Sequence, residues 1–581
     1  MLPLIDPRLG DVEDDASSTK RRSLIAIAGS LLTEISLPKL LAAWMLLILL
    51  PSLLLGLAPL VGAAWLEMIS RSLTVLYTGI WSLVILAAVV AFGWLGGRPL
   101  YRAAEQGFWS LNALAVQPAY ALCREGLRHV SELLLDRRLD GKRRARLRAA
   151  SAGGAGVILC ALAILAIWLV WPYSRWRGDL ADLREPVRLI LPMLANAAVI
   201  LCAYCAVTAL AWGIADATMD QPRDFTDFGD PAQMVRTWRV AHLSDIHVVG
   251  ERYGFRIESG RSGPRGNDRL AQVLDQLSAI HREKPLDHIL ITGDITDAGR
   301  SAEWAEFLSA LSRHPALAEK TVVLPGNHDI NVVDRANPAR LELPLSPGRR
   351  LREMRTLSAM ASLQATRLHV FDFSDGRVGE TLDRSLASHR ADIATFADTG
   401  MIRLTTRLGQ VWAEAFPLVL PPNAEDGLGL ILLNSTAETH FSFTNALGLV
   451  STEQSRAVHK VVQQYPRAKW VVALHHHLVE YPKLASAFSE RIGTALINGS
   501  WIVRQFQRFS DRIIVLHGHR HFDWIGCCGD LRIVSAPSPV MESTGEDATY
   551  FYIQTVGVDR AGRFALLPPE RIETPGRGLN A

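Results

Sequence analysis

The chain has 581 residues and a formal net charge of +3 at pH 7, long enough for about three or four domains and too weakly charged for a strongly basic nucleic-acid surface. Its six cysteines show neither a disulfide framework nor a zinc-ribbon spacing. No internal repeat or low-complexity tract breaks the chain.

The first half is apolar. Leu40 to Leu66, Ser72 to Gly97, Ala149 to Ser174 and Leu189 to Ala215 contain no charged residue, and each exceeds the roughly 20 residues that cross a hydrocarbon core as a helix. With Trp65, Trp94, Trp171 and Tyr173 near their ends, they predict an α-helical transmembrane domain of four helices at 40–215, exposed to membrane lipids. The preceding tail, 1–39, is a poor cleavable signal peptide because mostly polar residues, including Asp14 and Asp15, come before the first span. Basic residues are concentrated in the tail and in the loop 98–148, which contains "KRRARLR" at Lys142 to Arg148. The positive-inside rule therefore places the tail, that loop and everything after residue 215 in the cytoplasm, beneath an inner or plasma membrane. Gln106 to Cys123 is also uncharged, but Gln106, Asn112, Gln117 and Pro118 favour an interfacial or re-entrant helix over a fifth span, which would reverse the C-terminal half. "CAYC" at Cys202 to Cys205 reads as two small apolar side chains in a membrane helix.

An acidic linker at 216–236 leads into a different pattern. "WRVAHLSD" (Trp238 to Asp245), "DHILITGD" (Asp287 to Asp294) and "TVVLPGNHD" (Thr321 to Asp329) read as strands, with helices predicted over Asp268 to His281 and Ala302 to Leu311. Short apolar strands alternating with helices argue for an α/β domain, here 237–570 with a variable insertion at 331–427 and a tail at 571–581. Function in such a domain gathers at the strand ends.

Five clusters fall there: Asp245 and His247 in "SDIH"; Asp294 in "TGD"; Asn327, His328 and Asp329 in "PGNHD"; His475, His476 and His477 in "ALHHH"; and His517, His519 and His521 in "LHGHRH". Side chains two apart on an extended segment share a face, so Asp245 with His247, and His519 with His521, are expected to converge. Gly293, Gly326 and Gly518 stand where the backbone must turn sharply. Asp, Asn and His without Cys form an oxygen and nitrogen donor set that suits two divalent ions such as Mn, Fe or Zn. With Asp294 bridging, two ions about 3.5–4 Å apart would clamp the attacking and leaving oxygens of a displacement at phosphorus.

The series Asp245-x-His247, Gly293-Asp294, Gly326-Asn327-His328-Asp329, His475, Gly518-His519-x-His521 resembles the calcineurin-like metallophosphoesterase superfamily in order and spacing. The resemblance implies a two-sheet β-sandwich flanked by helices. It also implies one metal held by Asp245, His247, Asp294 and His521 and a second by Asp294, Asn327, His475 and His519. A hydroxide on or between the metals would attack, and His328, oriented by Asp329, would protonate the leaving oxygen or stabilise the phosphorane. His477, on the face of His475, would be a nearby supporting or substrate contact, and His476 should point away.

"GDITDAG" (Gly293 to Gly299), "LPGNHD" and "LNSTAETHFSFTNALGLVSTEQ" (Leu433 to Gln454) look like the branch of class III cyclic-nucleotide phosphodiesterases and glycerophosphodiesterases, although Ser451-x-x-Gln454 is also a plain capping box. Arg349, Arg350, Arg352 and Arg355 would reach a substrate phosphate or an anionic lipid headgroup, or form a solvated helix face. The glycine-rich loop Gly260 to Arg269 would approach the substrate or simply connect. The expected function is a membrane-anchored, dinuclear metal-dependent phosphodiesterase acting on a phosphodiester or phospholipid-like substrate. A lipid-precursor pyrophosphohydrolase similar to UDP-diacylglucosamine hydrolases is the enzymatic alternative, and a non-catalytic membrane sensor or scaffold is the other. A nuclease is disfavoured by the absence of a concentrated basic groove, and the oligomeric state is not legible.

Overall fold

The computed structural model describes residues 50–76, 117–134, 141–178, 186–250, 267–334, 340–342, 346–440, 442–482, 496–541 and 549–574, with isolated residues between 41 and 116. The chain divides into two compact units, one formed by Ser36–Met219 and the other including Asp220–Ala581.

The N-terminal unit consists of helices Leu50–Leu76, Gln117–Leu134, Gly141–Val170 and Ile190–Thr218 among the described residues. Among the described residues two stretches, Ala145–Tyr173 and Val187–Thr218, are long and apolar enough to cross a membrane, where four were expected along the chain. The expected first span falls partly on the Leu50–Leu76 helix, whose apolar part, Leu50–Ala64, is shorter. The second begins at Ser72 on the end of that helix, and the rest of it, beyond Leu76, lies outside the described residues. The "KRRARLR" run is not a loop; it is the first part of the Gly141–Val170 helix. This helix meets Ile190–Thr218 where Gly156 faces Gly213: a Cβ on Gly156 would lie 2.9 Å from the Gly213 Cα. Close backbone approach through small residues is how apolar helices pack tightly. The Gln106 to Cys123 segment touches the same helix, through Tyr204 to the Phe108 carbonyl (2.7 Å), Trp212 to Asn112 (3.1 Å) and Tyr120 to Asp216 (3.0 Å).

The second unit holds two sheets flanked by helices. Its strands in chain order are β1 Arg223–Asp224, β2 Met234–Leu243, β3 His288–Ile291, β4 Thr321–Val323, β5 His369–Asp372, β6 Arg377–Thr381, β7 Leu418–Leu420, β8 Leu428–Leu432, β9 Lys469–Ala473, β10 Ile513–His517, β11 Trp524–Cys528, β12 Leu531–Ser535, β13 Thr549–Asp559, β14 Phe564–Leu566 and β15 Glu570–Thr574. Among the described residues one sheet has the order β1-β11-β12-β10-β9-β8-β7-β5-β6; the other runs β14-β13-β2-β3-β4, with β15 also on β13.

Each sheet has a parallel block, β2-β3-β4 at one side of the smaller sheet and β8-β9-β10-β12 in the middle of the nine-stranded one. "WVVA" in β9 and "IIVLH" in β10 are buried on both faces, so these strands read as continuous apolar runs without alternation. Trp470 pairs with Gly429 across β8 and β9, and its ring lies where a Cβ on Gly429 would be, 2.4 Å away. That contact fixes the strand that leads, two residues beyond its end, to His475. Parallel strands point their C-terminal ends the same way, so β2, β3, β4, β9 and β10 all release their loops at one edge of their sheets.

The acidic linker is more than a tether. Arg223–Asp224 pairs antiparallel with β11, Trp524 Nε1 donates to Asp224 at 2.9 Å, and the unit begins at Asp220 where 237 was expected. The insertion at 331–427 is likewise built into the domain, because β5, β6 and β7 extend the nine-stranded sheet and the Pro347–Gln364 helix is mostly buried. "GNHD" is not strand: Asn327–Ile330 forms a single helical turn after β4. Ser451 caps its helix by accepting from the Gln454 N–H at 3.2 Å, but the Gln454 side chain bonds Asn434, so only half of the capping box forms.

Candidate metal centre

All five strand-end clusters meet in space. Asp245, His247 and His521 form one group of possible ligands, and Asp294, His475 and His519 a second. In the first, His521 Nε2 lies 3.3 Å from Asp245 Oδ1 and 3.2 Å from His247 Nε2. In the second, His475 Nε2 lies 3.1 Å from Asn327 Oδ1, 3.2 Å from Asp294 Oδ2 and 3.1 Å from His519 Nδ1. The Asp294 carboxylate joins the two groups. Its Oδ1 accepts the His328 backbone N–H at 2.8 Å, which leaves Oδ2 facing His475 at 3.2 Å and His247 at 3.7 Å.

The backbone reaches this convergence by a route that strand alternation does not predict. Among the described residues the non-glycine residues with positive φ are Asp245 (54°), His247 (46°), Asp294 (48°), His519 (77°) and His521 (51°), all of them candidate ligands. Such conformations cost about 1–3 kcal/mol each and persist where surrounding structure enforces them. His519 and His521 consequently diverge, one into each group, instead of sharing a face. Gly293, with φ of 93°, precedes Asp294. Gly326 is needed for space: a Cβ there would lie 2.1 Å from Asp294 Oδ1. Gly326→Ala is therefore expected to displace the Asp294 carboxylate, lowering bound Mn measured by elemental analysis and lowering stability by about 1–3 kcal/mol in a thermal melt.

The donor chemistry fits cations. His475 Nδ1 faces the Thr292 carbonyl at 2.8 Å and must donate there, so in the neutral ring Nε2 presents a lone pair to Asn327 Oδ1 and Asp294 Oδ2. A lone pair facing two oxygen acceptors, with His519 Nδ1 also 3.1 Å away, is an arrangement that a shared cation relieves. Burial disfavours the imidazolium, yet the adjacent Asp294 carboxylate outweighs it and lifts His475 to about 9. For Asp294, burial pushes upward, but His475 and His328 beside it hold the carboxyl well below the usual range. Burial, reinforced by His476 and His475, keeps His519 far below its ordinary value, hence neutral and able to ligate. His521 remains 23% exposed, so the centre opens to solvent on that side.

The remaining predicted residues fall around these groups. The His328 ring packs edge-on to His247, with centroids 4.5 Å apart, and its Nδ1 bonds the Asp297 carbonyl at 2.8 Å. Asp329 does not orient that ring. Its carboxylate accepts from Thr296 N (2.8 Å), Thr296 Oγ1 (2.6 Å), Gly326 N (2.9 Å) and Ile295 N (3.3 Å), tying the two ligand loops together. Burial, with Asp294 nearby, raises its carboxyl against those hydrogen bonds. His477 stacks on His519 with centroids 5.8 Å apart and faces Glu480 at 3.4 Å. His476 does not point away: it is fully buried, its ring centroid is 4.5 Å from that of His519, and Ser435 Oγ lies 2.9 Å from its Nδ1. His517 is buried behind the centre, its Nδ1 at 3.1 Å from the Gly518 carbonyl.

Asp297 is a candidate site residue that sequence reasoning missed. Besides its carbonyl bond to His328, its carboxylate lies 3.3 Å from His247 Nδ1. The signal was present in "GDITDAG", where it stands three residues after Asp294. The arginine run is not a solvated helix face, since Arg349, Arg352 and Arg355 are buried inside the domain and Arg350 is half-buried. The part of the Gly260 to Arg269 loop before Asn267 lies outside the described residues.

Two carboxylate and imidazole groups joined by one buried aspartate, at the strand ends of a two-sheet α/β unit, define a site able to bind metal ions. Residues 239–523 match the family described as calcineurin-like phosphoesterase, and this part of the chain is a calcineurin-like metallophosphoesterase domain. No curated protein matches the sequence significantly. Similar solved structures include a protein provisionally described as a 5′-nucleotidase from Staphylococcus aureus in complex with alpha-ketoglutarate (13% identity, TM-score 0.30, 60% of this chain and 56% of that one). A dimetal phosphatase from Danio rerio shows 12% identity and a TM-score of 0.32 over 58% of this chain and 98% of its own. A hypothetical protein from Pyrococcus horikoshii OT3 shows 11% identity and a TM-score of 0.24 over 58% and 88%. The chain thus spans little more than half the length of the first of these.

Proposed function

We propose that the chain is a membrane-attached, dinuclear metal-dependent phosphodiesterase. The observation that carries the reading is the pair of ligand groups sharing Asp294, with the His328 ring packed against His247 beside them. Asp245, His247, Asp294 and His521 would hold one divalent ion, and Asp294, Asn327, His475 and His519 the other. When bound, two such ions lower the pKa of water towards neutrality and neutralise charge on a phosphoryl group. The protein supplies the rest. The Thr292 carbonyl orients His475, the Asp297 carbonyl orients His328, and the Asp297 carboxylate lies 3.3 Å from His247 Nδ1. Protonated on both nitrogens, His328 would keep its Nδ1–H on that carbonyl and present its Nε2–H to the leaving oxygen. The oxygen and nitrogen donor set favours Mn, Fe or Zn. The complete donor set speaks against a decayed, non-catalytic sensor.

Membrane attachment is supported by the two long apolar stretches, on which Trp168, Leu169, Val207 and Ile214 are exposed. A catalytic domain held at a cytoplasmic surface would meet lipid-linked phosphoesters at high effective concentration. The test is turnover of bis(p-nitrophenyl) phosphate against p-nitrophenyl phosphate by the detergent-solubilised full chain loaded with Mn. Faster hydrolysis of the diester supports the proposal. Preference for the monoester, or no turnover of either with both ions demonstrably bound, overturns it, the latter outcome favouring a lipid pyrophosphate substrate.

A further inference from the structure

The Pro347–Gln364 helix buries cations that the proposed chemistry does not use. Arg349, Arg352 and Arg355 are 9%, 6% and 1% exposed, and a buried guanidinium is tolerated only where its fork of donors is satisfied. Carboxylates take part of it: Arg349 and Arg350 pair with Glu353, and Arg352 with Glu342. Arg349 donates further to Asn331 Oδ1 and to the Ala437 carbonyl, whereas Arg352 and Arg355 reach main-chain oxygens at the exits of two ligand loops. Arg352 Nε donates to the Ile330 carbonyl at 2.8 Å, Arg355 donates to the Gly299 carbonyl, and Thr356 Oγ1 donates to the Asp329 carbonyl at 3.4 Å.

Positions 352, 355 and 356 have the i, i+3, i+4 spacing of one helix face. The carbonyls they serve belong to two separate segments. Asp329 and Ile330 close the short helix that begins with Asn327 and His328, and Gly299 closes the loop that begins with Asp294. A helix end leaves carbonyls without intrahelical partners, and cationic donors there are favourable. The same side chains fill the gap between the segments, for a Cβ on Gly299 would lie 2.9 Å from Arg352 Cδ and 2.6 Å from the Asp329 carbonyl oxygen. The bond from His328 Nδ1 to the Asp297 carbonyl spans this gap, so the spacing between segments sets the direction of the His328 ring.

We propose that Arg352 and Arg355, helped by Thr356, are positioning residues for His328: one helix face holds the Asp294 loop and the Asn327–Ile330 turn at the spacing that aims the imidazole at the leaving oxygen. The proposal rests on the phosphoesterase reading with His328 as proton donor. It predicts an effect that depends on leaving-group quality, because a poor leaving group needs the proton and a good one needs it little.

The experiment uses the full chain in detergent, loaded with Mn, on bis(p-nitrophenyl) phosphate and on diphenyl phosphate, whose leaving group is worse. Arg355→Lys and Arg352→Lys keep the charge and stem but lose the planar fork. Each is expected to lower kcat on diphenyl phosphate about tenfold and on the nitrophenyl ester less than about threefold, with KM little changed. Mn affinity by calorimetry should stay at the wild-type value. Thr356→Val, which preserves shape and removes only the hydroxyl, should show the same imbalance at smaller size and decides the matter if the arginine variants do not fold. An equal loss on both esters, or no loss, in the folded variants overturns the positioning role. Failure of the wild-type chain to hydrolyse either ester would instead overturn the phosphoesterase reading.

Discussion

Asp294→Ala should remove metal from both ligand groups at once and lower phosphodiester turnover by at least about a thousandfold, since bound cations supply several kcal/mol of charge stabilisation. The expectation follows from the two ends of one carboxylate. Oδ2 faces both His475 and His247, whereas Oδ1 accepts the His328 N–H and so belongs to the framework. Asp294→Asn separates these roles, because an amide oxygen can still accept from His328 while the negative charge is gone. It should melt close to wild type and still lose Mn, measured by elemental analysis on the desalted protein. If Asp294→Ala kept two Mn per chain with full activity, Asp294 would not be the shared ligand. Retention of one ion would mean that it serves a single group.

The site was largely legible because its residues punctuate apolar strands. "WRVAHL", "ILI", "TVV", "WVVA" and "IIVL" are hydrophobic runs that form buried strands, and each is followed within a few residues by Asp, Asn or His. A strand of that kind has one exit, so the residue following it is placed by the sheet. The route from strand to ligand was not legible. Side-chain alternation was the right argument for extended backbone, but Asp245, His247, His519 and His521 are left-handed, a conformation imposed by neighbouring loops.

The same limit explains the arginines. A run such as "PGRRLREMR" reads as solvated or ligand-facing because local sequence does not show which carbonyls lie opposite. Those carbonyls, of Gly299 and Ile330, are supplied from upstream in the chain. Asp329 is a similar case. Its neighbour His328 made it look like part of a dyad, but the donors that reach its carboxylate come from Thr296, Ile295 and Gly326. Two of the four apolar windows coincide with helices long and apolar enough to cross a membrane, Ala145–Tyr173 and Val187–Thr218. The contacts of Gln106 to Cys123 with Tyr204, Trp212 and Asp216 depend on pairing that composition does not encode.

His328→Gln should leave Mn binding intact and lower kcat by about 10²–10⁴-fold on esters with poor leaving groups, the range that a positioned general acid contributes. Its Nδ1 is committed to the Asp297 carbonyl, and its contact with His247 is ring edge to ring face. Its backbone N–H, which holds Asp294, survives the substitution. Metal affinity and chemistry are therefore expected to separate at this residue as they do not at Asp294. The p-nitrophenyl ester should be much less affected, because its leaving group departs without needing a proton. Asp329→Asn provides the contrast. The Asp329 carboxylate holds Ile295, Thr296 and Gly326, next to the candidate ligands Asp294 and Asn327, so the substitution should lower the melting temperature and Mn affinity together and act on good and poor leaving groups alike. A His328 variant that lost activity equally on both ester classes while retaining Mn would assign the residue to charge stabilisation in the transition state, with the proton coming from elsewhere.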